Sequence, residues 1–418
     1  MSRKANISDF AGPKPIRVVL LAAAPMYYHE PLYRRVASNP RIQFKAVFAS
    51  NEGVRPHDGG FGQLVSWDAE LLSGYESRFL RRAATNPKSG NFFSLRDRDI
   101  WAVMREEQAE VLWLHGYNFL THMMAASMQL VRRKPLLVRE EQNLLNPRPL
   151  WKRVAKELGL RILLTRSHGL YIGSRNRAWF QHFGLKSDKL FFTPYSVDND
   201  RLQAAERKLS GERTRLLASF GISPDSGPVI LTVSRLVGKK QPQFILDAFR
   251  QARQRVKCNL LVVGSGELEQ SLREKVQNEE IPDVHFAGFL NQSRIAEAYV
   301  CGDIFTLASR YDETWGLVVN EAMNFSLPII VTNEVGCAPD LVYEGRNGYV
   351  VSSEDPNEMA AKFLSLLSDE RSRTEFGNES KRIIDEWNHD VAAQGIADAV
   401  AHVVGKERWE KTSVSQSA

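Results

Sequence analysis

The feature that most restricts this chain is an alternation along nearly its whole length, in which short apolar runs of about four to eight residues are separated by longer stretches of helical composition. Ile16–Ala23, Phe44–Phe48, Val111–Leu114, Leu136–Arg139, Leu170–Gly173 and Lys189–Phe192 read as buried strands. Helices are expected at Glu30–Ala37, Asp99–Gln108, Leu120–Val131, Trp151–Arg166 and Arg175–Phe183. Strands apolar on both faces belong in parallel sheets covered by helices on both sides. The pattern then stops over the polar residues 200–227, which end in the turn signal Pro224-Asp225-Ser226-Gly227-Pro228. It restarts with strands at Val229–Ser234, Leu260–Gly264, His285–Phe286, Ile304–Leu307, Ile329–Thr332 and Tyr349–Val351, and with helices at Gln243–Gln254, Glu267–Asn278 and Ser293–Val300.

Two such sets predict two Rossmann-like α/β domains facing each other across a cleft. The expected division is a disordered tail over 1–14, a first domain over 15–205 and a second over 206–388. A terminal helix over 389–405 packs back toward the first domain, and a polar tail over 406–418 frays. The Gly-rich stretch 51–66 reads as a mobile loop near a site.

Composition narrows the class. Hydrophobic content of 43 % with 25 % charged residues is that of an ordinary soluble protein. Apolar runs of membrane-spanning length and a signal-peptide core are missing, and Cys258, Cys301 and Cys337 form no CxxC, so a cytoplasmic location without a zinc site or disulfide framework is expected. Charge is unevenly spread: residues 1–200 hold 30 Lys and Arg against 18 Asp and Glu, and the remainder 25 against 31. Basic clusters at Arg78-Phe79-Leu80-Arg81-Arg82, Arg132-Arg133-Lys134 and Trp151–Lys156 mix cations with apolar residues. That mixture suits a peripheral position on an anionic membrane surface, and equally a set of solvated helix faces.

The densest chemistry lies in 309–331. Ser309-Arg310-Tyr311-Asp312-Glu313-Thr314-Trp315-Gly316 follows a strand, Leu317–Phe325 has the length of a short helix, and Pro328-Ile329-Ile330-Val331 is the next strand. A loop leaving the carboxyl end of a strand is where open α/β sheets bind ligands, and the helix after it aims unpaired N–H groups at an anion. Glu313 and Glu321 are acceptors only, suited to a ligand covered in hydroxyls such as a ribose and a hexose. A solvated loop and an exposed helix face would hold the same two residues. Earlier, Arg235 and Lys240 leave the first strand of the second set on a Gly-containing loop before a helix. Two fixed cations there suit a diphosphate, or else pair with nearby surface acids.

These pieces, with Gly264-Ser265-Gly266, Trp315-Gly316-Leu317, Val335-Gly336 and Asn347-Gly348, occur in an order and spacing over residues 228–352 that resembles the retaining family 4 glycosyltransferases of GT-B fold. In the first half the likeness is looser: Pro31-Leu32-Tyr33-Arg34-Arg35, His115-Gly116-Tyr117 and Pro194–Asn199. The resemblance implies a metal-independent hexosyl- or related transferase, working in polysaccharide or glycoconjugate synthesis of bacterial type. It would take a nucleotide-diphosphate-sugar as donor substrate, with no cofactor and no nucleic-acid partner, and a saccharide or lipid-linked saccharide as acceptor. Arg235 and Lys240 would grip the diphosphate, Glu321 the ribose and Glu313 the transferred sugar. Backbone N–H groups at Gly316, Leu317 and Val318 would meet phosphate or sugar, the base would lie near Phe289 and Leu290, and His115 would face the sugar from the first domain. Two departures stand out: Ala22–His29 lacks the usual glycine pair, and Cys337-Ala338-Pro339-Asp340 follows Gly336 where a second glycine and a Glu are usual.

Other features weigh less. Asp97-Arg98-Asp99 spells a DxD that holds a divalent cation in other transferases, at a position where aspartates also cap helices. Gly264-Ser265-Gly266-Glu267 lacks the third glycine of a dinucleotide fingerprint. His29, His122 and His168 are site residues or ordinary buried histidines, and Trp67-Asp68 and Gly74-Tyr75 fit acceptor contacts or core and turn roles. Two rival functions remain, a sugar-nucleotide epimerase of the same fold and an inactive transferase-like scaffold docking through its basic half.

Overall fold

The computed structural model describes residues 14–56, 64–85, 91–145, 150–311 and 313–412, with the side chains of 150–156 excluded. Residues 1–13 of the expected tail and 57–63 of the Gly-rich stretch lie outside these residues.

The first domain alternates β1 (Ile16–Ala22), α1 (Glu30–Ala37), β2 (Ile42–Phe48), β3 (Glu76–Phe79), α2 (Ile100–Glu106), β4 (Val111–His115), α3 (Leu120–Val131), β5 (Leu136–Arg139), α4 (Leu150–Thr165), β6 (His168–Tyr171), α5 (Ser174–His182) and β7 (Leu190–Phe192). Its seven strands pair in parallel in the order β3-β2-β1-β4-β5-β6-β7. In β1 and β4, Val18 lies opposite Val111 and Leu21 opposite Leu114. All four are fully buried, as continuous aliphatic runs in central parallel strands require.

Two helices, α6 (Asn199–Leu209) and α7 (Arg213–Ser219), lead into the second domain. It contains β8 (Val229–Val233), α8 (Pro242–Arg253), β9 (Asn259–Val263), α9 (Glu269–Asn278), β10 (Val284–Gly288), α10 (Ile295–Cys301), β11 (Ile304–Leu307), α11 (Leu317–Asn324), β12 (Ile329–Thr332), α12 (Ala338–Leu341), β13 (Gly348–Val351), α13 (Pro356–Leu367) and α14 (Glu370–Asp385). Its six parallel strands run β10-β9-β8-β11-β12-β13. Strand order reverses between β1 and β4 in one sheet and between β8 and β11 in the other. These switch points open a crevice at the carboxyl edge of each sheet.

The polar stretch 200–227 is not an open linker. Asp198 caps α6 by accepting the Arg201 N–H at 3.1 Å, α6 runs through the expected 205/206 boundary, and α6 packs on α10 and α11. After α14 the chain returns as α15 (His389–Val404), whose Ala392, Ile396, Ala399 and Val400 join the first domain's core beside Ile16, Val18 and Leu32. In the tail expected to fray over 406–418, residues 406–411 form α16 (Lys406–Lys411), with Arg41 over the Trp409 ring at 5.3 Å and Arg408 paired to Glu110, and 413–418 lie outside the described residues.

The first two basic clusters do not share one face. Arg78 and Phe79 belong to edge strand β3, where Arg78 pairs with Glu106 and Glu107 at 3.0 and 2.8 Å and Phe79 packs on Phe48. Arg132-Arg133-Lys134 precedes β5 and so lies at the opposite, amino edge of the sheet, where Lys134 donates to the Ala109 carbonyl at 2.7 Å. The side chains of Trp151–Lys156 lie outside the described residues. No described helix is long and apolar enough to cross a membrane.

Candidate active site between the domains

Arg235, Lys240, Phe289, Leu290, Glu313, Gly316, Leu317, Val318 and Glu321 all line one cavity of about 210 Å³. Each enters from a carboxyl edge: Arg235 and Lys240 after β8, Phe289 and Leu290 after β10, Glu313 after β11, and the others from the start of α11. Tyr27, from the loop after β1, and Trp67 complete the lining from the first domain.

Local sequence explains the positions. Gly316 caps α11 at φ 100° and ψ 59°, a left-handed conformation that suits glycine, and a side chain there would press on Leu307 and Val335. The first-turn N–H groups that follow, at Leu317 and Val318, have no intrahelical acceptor, and both residues line the cavity. At Gly264, φ is 129° and a Cβ would stand 1.9 Å from the Ser234 carbonyl oxygen, so glycine lets the loop after β9 close against the segment carrying Arg235. The glycines of 264–266 therefore pack loop against loop.

The charged groups are differently partnered. Lys240 pairs directly with Glu313 Oε2, which also accepts from the Ser309 hydroxyl at 2.7 Å. Burial pushes the Glu313 carboxyl up, but the adjacent ammonium and the hydroxyl more than offset it, leaving it below the usual carboxylate range and ionised. Glu313 Oε1 and two of the three Lys240 donors have no share in that contact. Glu321 is only 3 % exposed and accepts from Tyr299 Oη at 2.7 Å. Burial raises its carboxyl, partly countered by Tyr299 and by Arg201, which is itself held by Gln292 at 2.8 and 2.9 Å. Neither glutamate is the solvated surface residue its sequence context also allowed.

His115 does not line this cavity. At the end of β4, its Nε2 lies 3.3 Å from Glu141 Oε1 and its Nδ1 3.3 Å from Tyr33 Oη. His29 Nε2 lies 3.2 Å from the same Glu141 oxygen, and Tyr195 donates to Glu141 Oε2 at 2.9 Å. Burial, then the neighbouring His115, push His29 down to about 3, so it is a neutral donor. Burial pushes the Glu141 carboxyl up, but the hydrogen bonds from His115 and His29 outweigh it and keep Glu141 ionised. Arg139, at 1 % exposure, supplies the countercharge behind the Tyr195 ring at 5.6 Å while donating to Thr193 at 3.0 and 3.1 Å. The ligand atoms of His29, His115 and Glu141 all fall within 4.8 Å of one another and are the group among the described residues that could hold a metal ion.

Asp97 is otherwise engaged: it accepts the N–H groups of Arg82 and Asp99 at 2.8 and 3.0 Å, as a buried loop support. His122 is buried in α3, and His168 packs on His402 at the β6–α15 contact. Asp340, one of the departures after Gly336, accepts the Ser174 N–H and hydroxyl at 2.9 to 3.0 Å and so ties the two domains. Trp67 packs at a tilt against Tyr27 with centroids 4.4 Å apart, and Asp68 accepts the Ser293 N–H at 3.1 Å, bridging the cleft. Tyr27 and Glu141 escaped sequence reasoning. Their signal was position alone, directly after β1 and β5 at the carboxyl edge of the sheet.

Residues 218–383 match the family model described as "Glycosyl transferases group 1". The N-acetyl-alpha-D-glucosaminyl L-malate synthase of Bacillus anthracis is 29 % identical over 206 residues, 49 % of this chain and 51 % of that protein. A GDP-mannose-dependent alpha-(1-6)-phosphatidylinositol monomannoside mannosyltransferase of Mycobacterium tuberculosis is 26 % identical over 239 residues, 54 % of this chain and 60 % of that one. The chain thus spans about half the length of the curated relatives it matches. The crystal structure of Anabaena HepE in complex with UDP superposes with a TM-score of 0.69 at 16 % identity, over 93 % of this chain and all of that one, which establishes the fold. The chain thus has two parallel sheets of GT-B architecture, and residues 218–383 of its second domain are similar to the glycosyl transferases group 1 family.

Proposed function

We propose that the protein is a glycosyltransferase that moves a sugar from a nucleotide-diphosphate-sugar to an acceptor hydroxyl with retention at the anomeric carbon. The observation that carries this reading is the convergence of Arg235, Lys240, Glu313 and Glu321 on one cavity at the start of α11. HepE, which shares the fold, is known in complexes with UDP and with UDP-glucose. Here the diphosphate lies between Arg235, the free Lys240 donors and the first-turn N–H groups of α11. Glu321 takes the ribose hydroxyls, Glu313 Oε1 a hydroxyl of the transferred sugar, and Phe289 and Leu290 flank the base.

In the reaction the bond from the anomeric carbon to the diphosphate oxygen breaks, and the acceptor oxygen bonds to that carbon from the same face. The departing phosphate oxygen takes the acceptor proton. The cations hold the charge that develops, the task a metal performs elsewhere. As the cleft closes, His115 comes up to the sugar from the first domain and water, the competing acceptor, is excluded. The acceptor, a free or lipid-linked saccharide of polysaccharide or glycoconjugate synthesis, enters at the carboxyl edge of the first domain. The enzyme works in the cytoplasm, with that edge available to the inner membrane face.

A panel of sugar nucleotides screened by thermal unfolding tests the reading. At 100 times its Kd the right donor adds about 2.7 kcal/mol of stability, and Arg235→Ala removes most of the gain. Absence of a shift with every donor would overturn the assignment. Epimerised donor formed without acceptor would favour the epimerase.

A further inference from the structure

A second cavity, of about 650 Å³, opens on the first domain and is lined by Arg81, Arg82, Arg96, Arg98, Arg105 and Trp101. Five guanidinium groups around one hollow is an unusual concentration of like charge. Its acids do not cancel it. Asp97 is spent on backbone N–H groups, and Asp99 reaches Arg81 alone, at 3.7 Å. Arg105 is turned onto the Trp101 carbonyl at 3.2 Å. Arg82, Arg96 and Arg98 have exposed side chains with no side-chain partner among the described residues.

Topology says where this hollow lies. Arg81 and Arg82 leave the carboxyl end of β3, and Arg96 to Asp99 lie between that strand and α2. The carboxyl end of β4, with His115, is at the same edge of the sheet. In the order β3-β2-β1-β4 the two strands are three spacings apart, roughly 14 Å. The segment carrying Arg96 and Arg98 is anchored to the start of α3 just beyond His115, through Thr121 N–H to the Leu95 carbonyl at 3.0 Å and Asp97 N–H to Thr121 Oγ1 at 2.8 Å.

We propose that this hollow binds a phosphate or diphosphate group on the acceptor, held by Arg82, Arg96 and Arg98 while the acceptor hydroxyl reaches toward His115. The proposal rests on the transferase reading for its word "acceptor"; the anion site itself does not. Planar guanidinium forks match phosphate oxygens in pairs, and Trp101, 45 % exposed, offers apolar contact beside them.

The test is calorimetric titration of the full chain with inorganic pyrophosphate. The donor cavity also attracts this probe, so four proteins are compared: wild type, Arg235→Ala, the triple variant Arg82→Ala/Arg96→Ala/Arg98→Ala, and the combination. Wild type should show two classes of site and each partial variant one, with the triple variant weakening its class at least about tenfold. Lys at the three positions should restore part of the affinity, which separates lost charge from lost fold. Wild-type binding by the triple variant, or loss of all binding in Arg235→Ala, would overturn the proposal. So would adsorption to phosphatidylglycerol vesicles with no second class for dissolved pyrophosphate, because that describes surface attraction. Sugar-nucleotide stabilisation is read in the same four proteins. If it is absent throughout while the second class persists, the transferase reading has failed and the anion site has not.

Discussion

Replacing Lys240 by Met isolates what the Lys240–Glu313 pair does. Both side chains are 13 % exposed, so the substitution strands a nearly buried carboxylate whose remaining direct support is the Ser309 hydroxyl. Removing one partner of a buried ion pair costs about 3 to 5 kcal/mol, and the residual solvent contact argues for the lower end. For a domain of roughly 200 residues, about 3 kcal/mol lowers Tm by about 9 °C. The cost should depend on pH. Without the ammonium, burial dominates and the Glu313 carboxyl rises, so protonation relieves the penalty and the gap to wild type narrows as pH falls. Lys240→Met/Glu313→Gln removes both charges and should recover most of the lost Tm, yet transfer should remain down about 10²- to 10³-fold, because a diphosphate contact is gone. The readouts are Tm from pH 5 to 8 and turnover at saturating donor. A single variant as stable as wild type, or a double variant no more stable than the single, would refute the reasoning.

Glu141→Gln removes the charge that orients His29 and His115; turnover should fall about tenfold or more with donor affinity unchanged, and equal loss of donor binding would place Glu141 in the donor site instead. Stability should fall on acidification. Burial pushes both His29 and His122 down to about 3, so between about pH 6.5 and pH 3 the unfolded chain takes up protons that the folded one refuses. Each should cost about 2 kcal/mol by pH 5, and a flat urea-unfolding profile from pH 7 to pH 5 would contradict this. EDTA should leave transfer unchanged. Activity lost to chelator and restored by Zn²⁺ in wild type, but not in His29→Ala, would make the His29–His115–Glu141 group a metal centre.

Much of the fold was legible because central parallel strands are apolar on both faces: Val229–Val233 and Ile304–Leu307 carry their burial in their composition. Edge strand β3 was not, since Glu76-Ser77-Arg78-Phe79 is half-exposed and reads as a basic cluster. Trp409 turned the expected tail into a docked helix through a contact with Arg41 that no local pattern announces. In the site, the spacing of Glu313, Gly316 and Glu321 was visible because one loop and one helix hold all three. The Lys240–Glu313 pair spans 73 positions and the His115–Glu141 contact joins different strands. Such partnerships arise from sheet order, and sheet order is where local reading stops.

The return of α15 to the first domain makes the chain cross between domains twice, once after β7 and once after α14. The crossings lie side by side: Phe192 and Trp387 have ring centroids 5.2 Å apart, and the Asn199 amide donates to the carbonyls of Ile384 and Trp387 at 2.9 and 3.3 Å. Two adjacent covalent links act as a door hinge, where a single link acts as a tether. Two links so placed favour rotation about an axis near Phe192 and Trp387 over translation of one domain against the other. A hinge of that kind would keep Tyr27 and Trp67 aligned with the wall that holds Phe289. Cutting the chain after Glu386 would turn the hinge back into a tether.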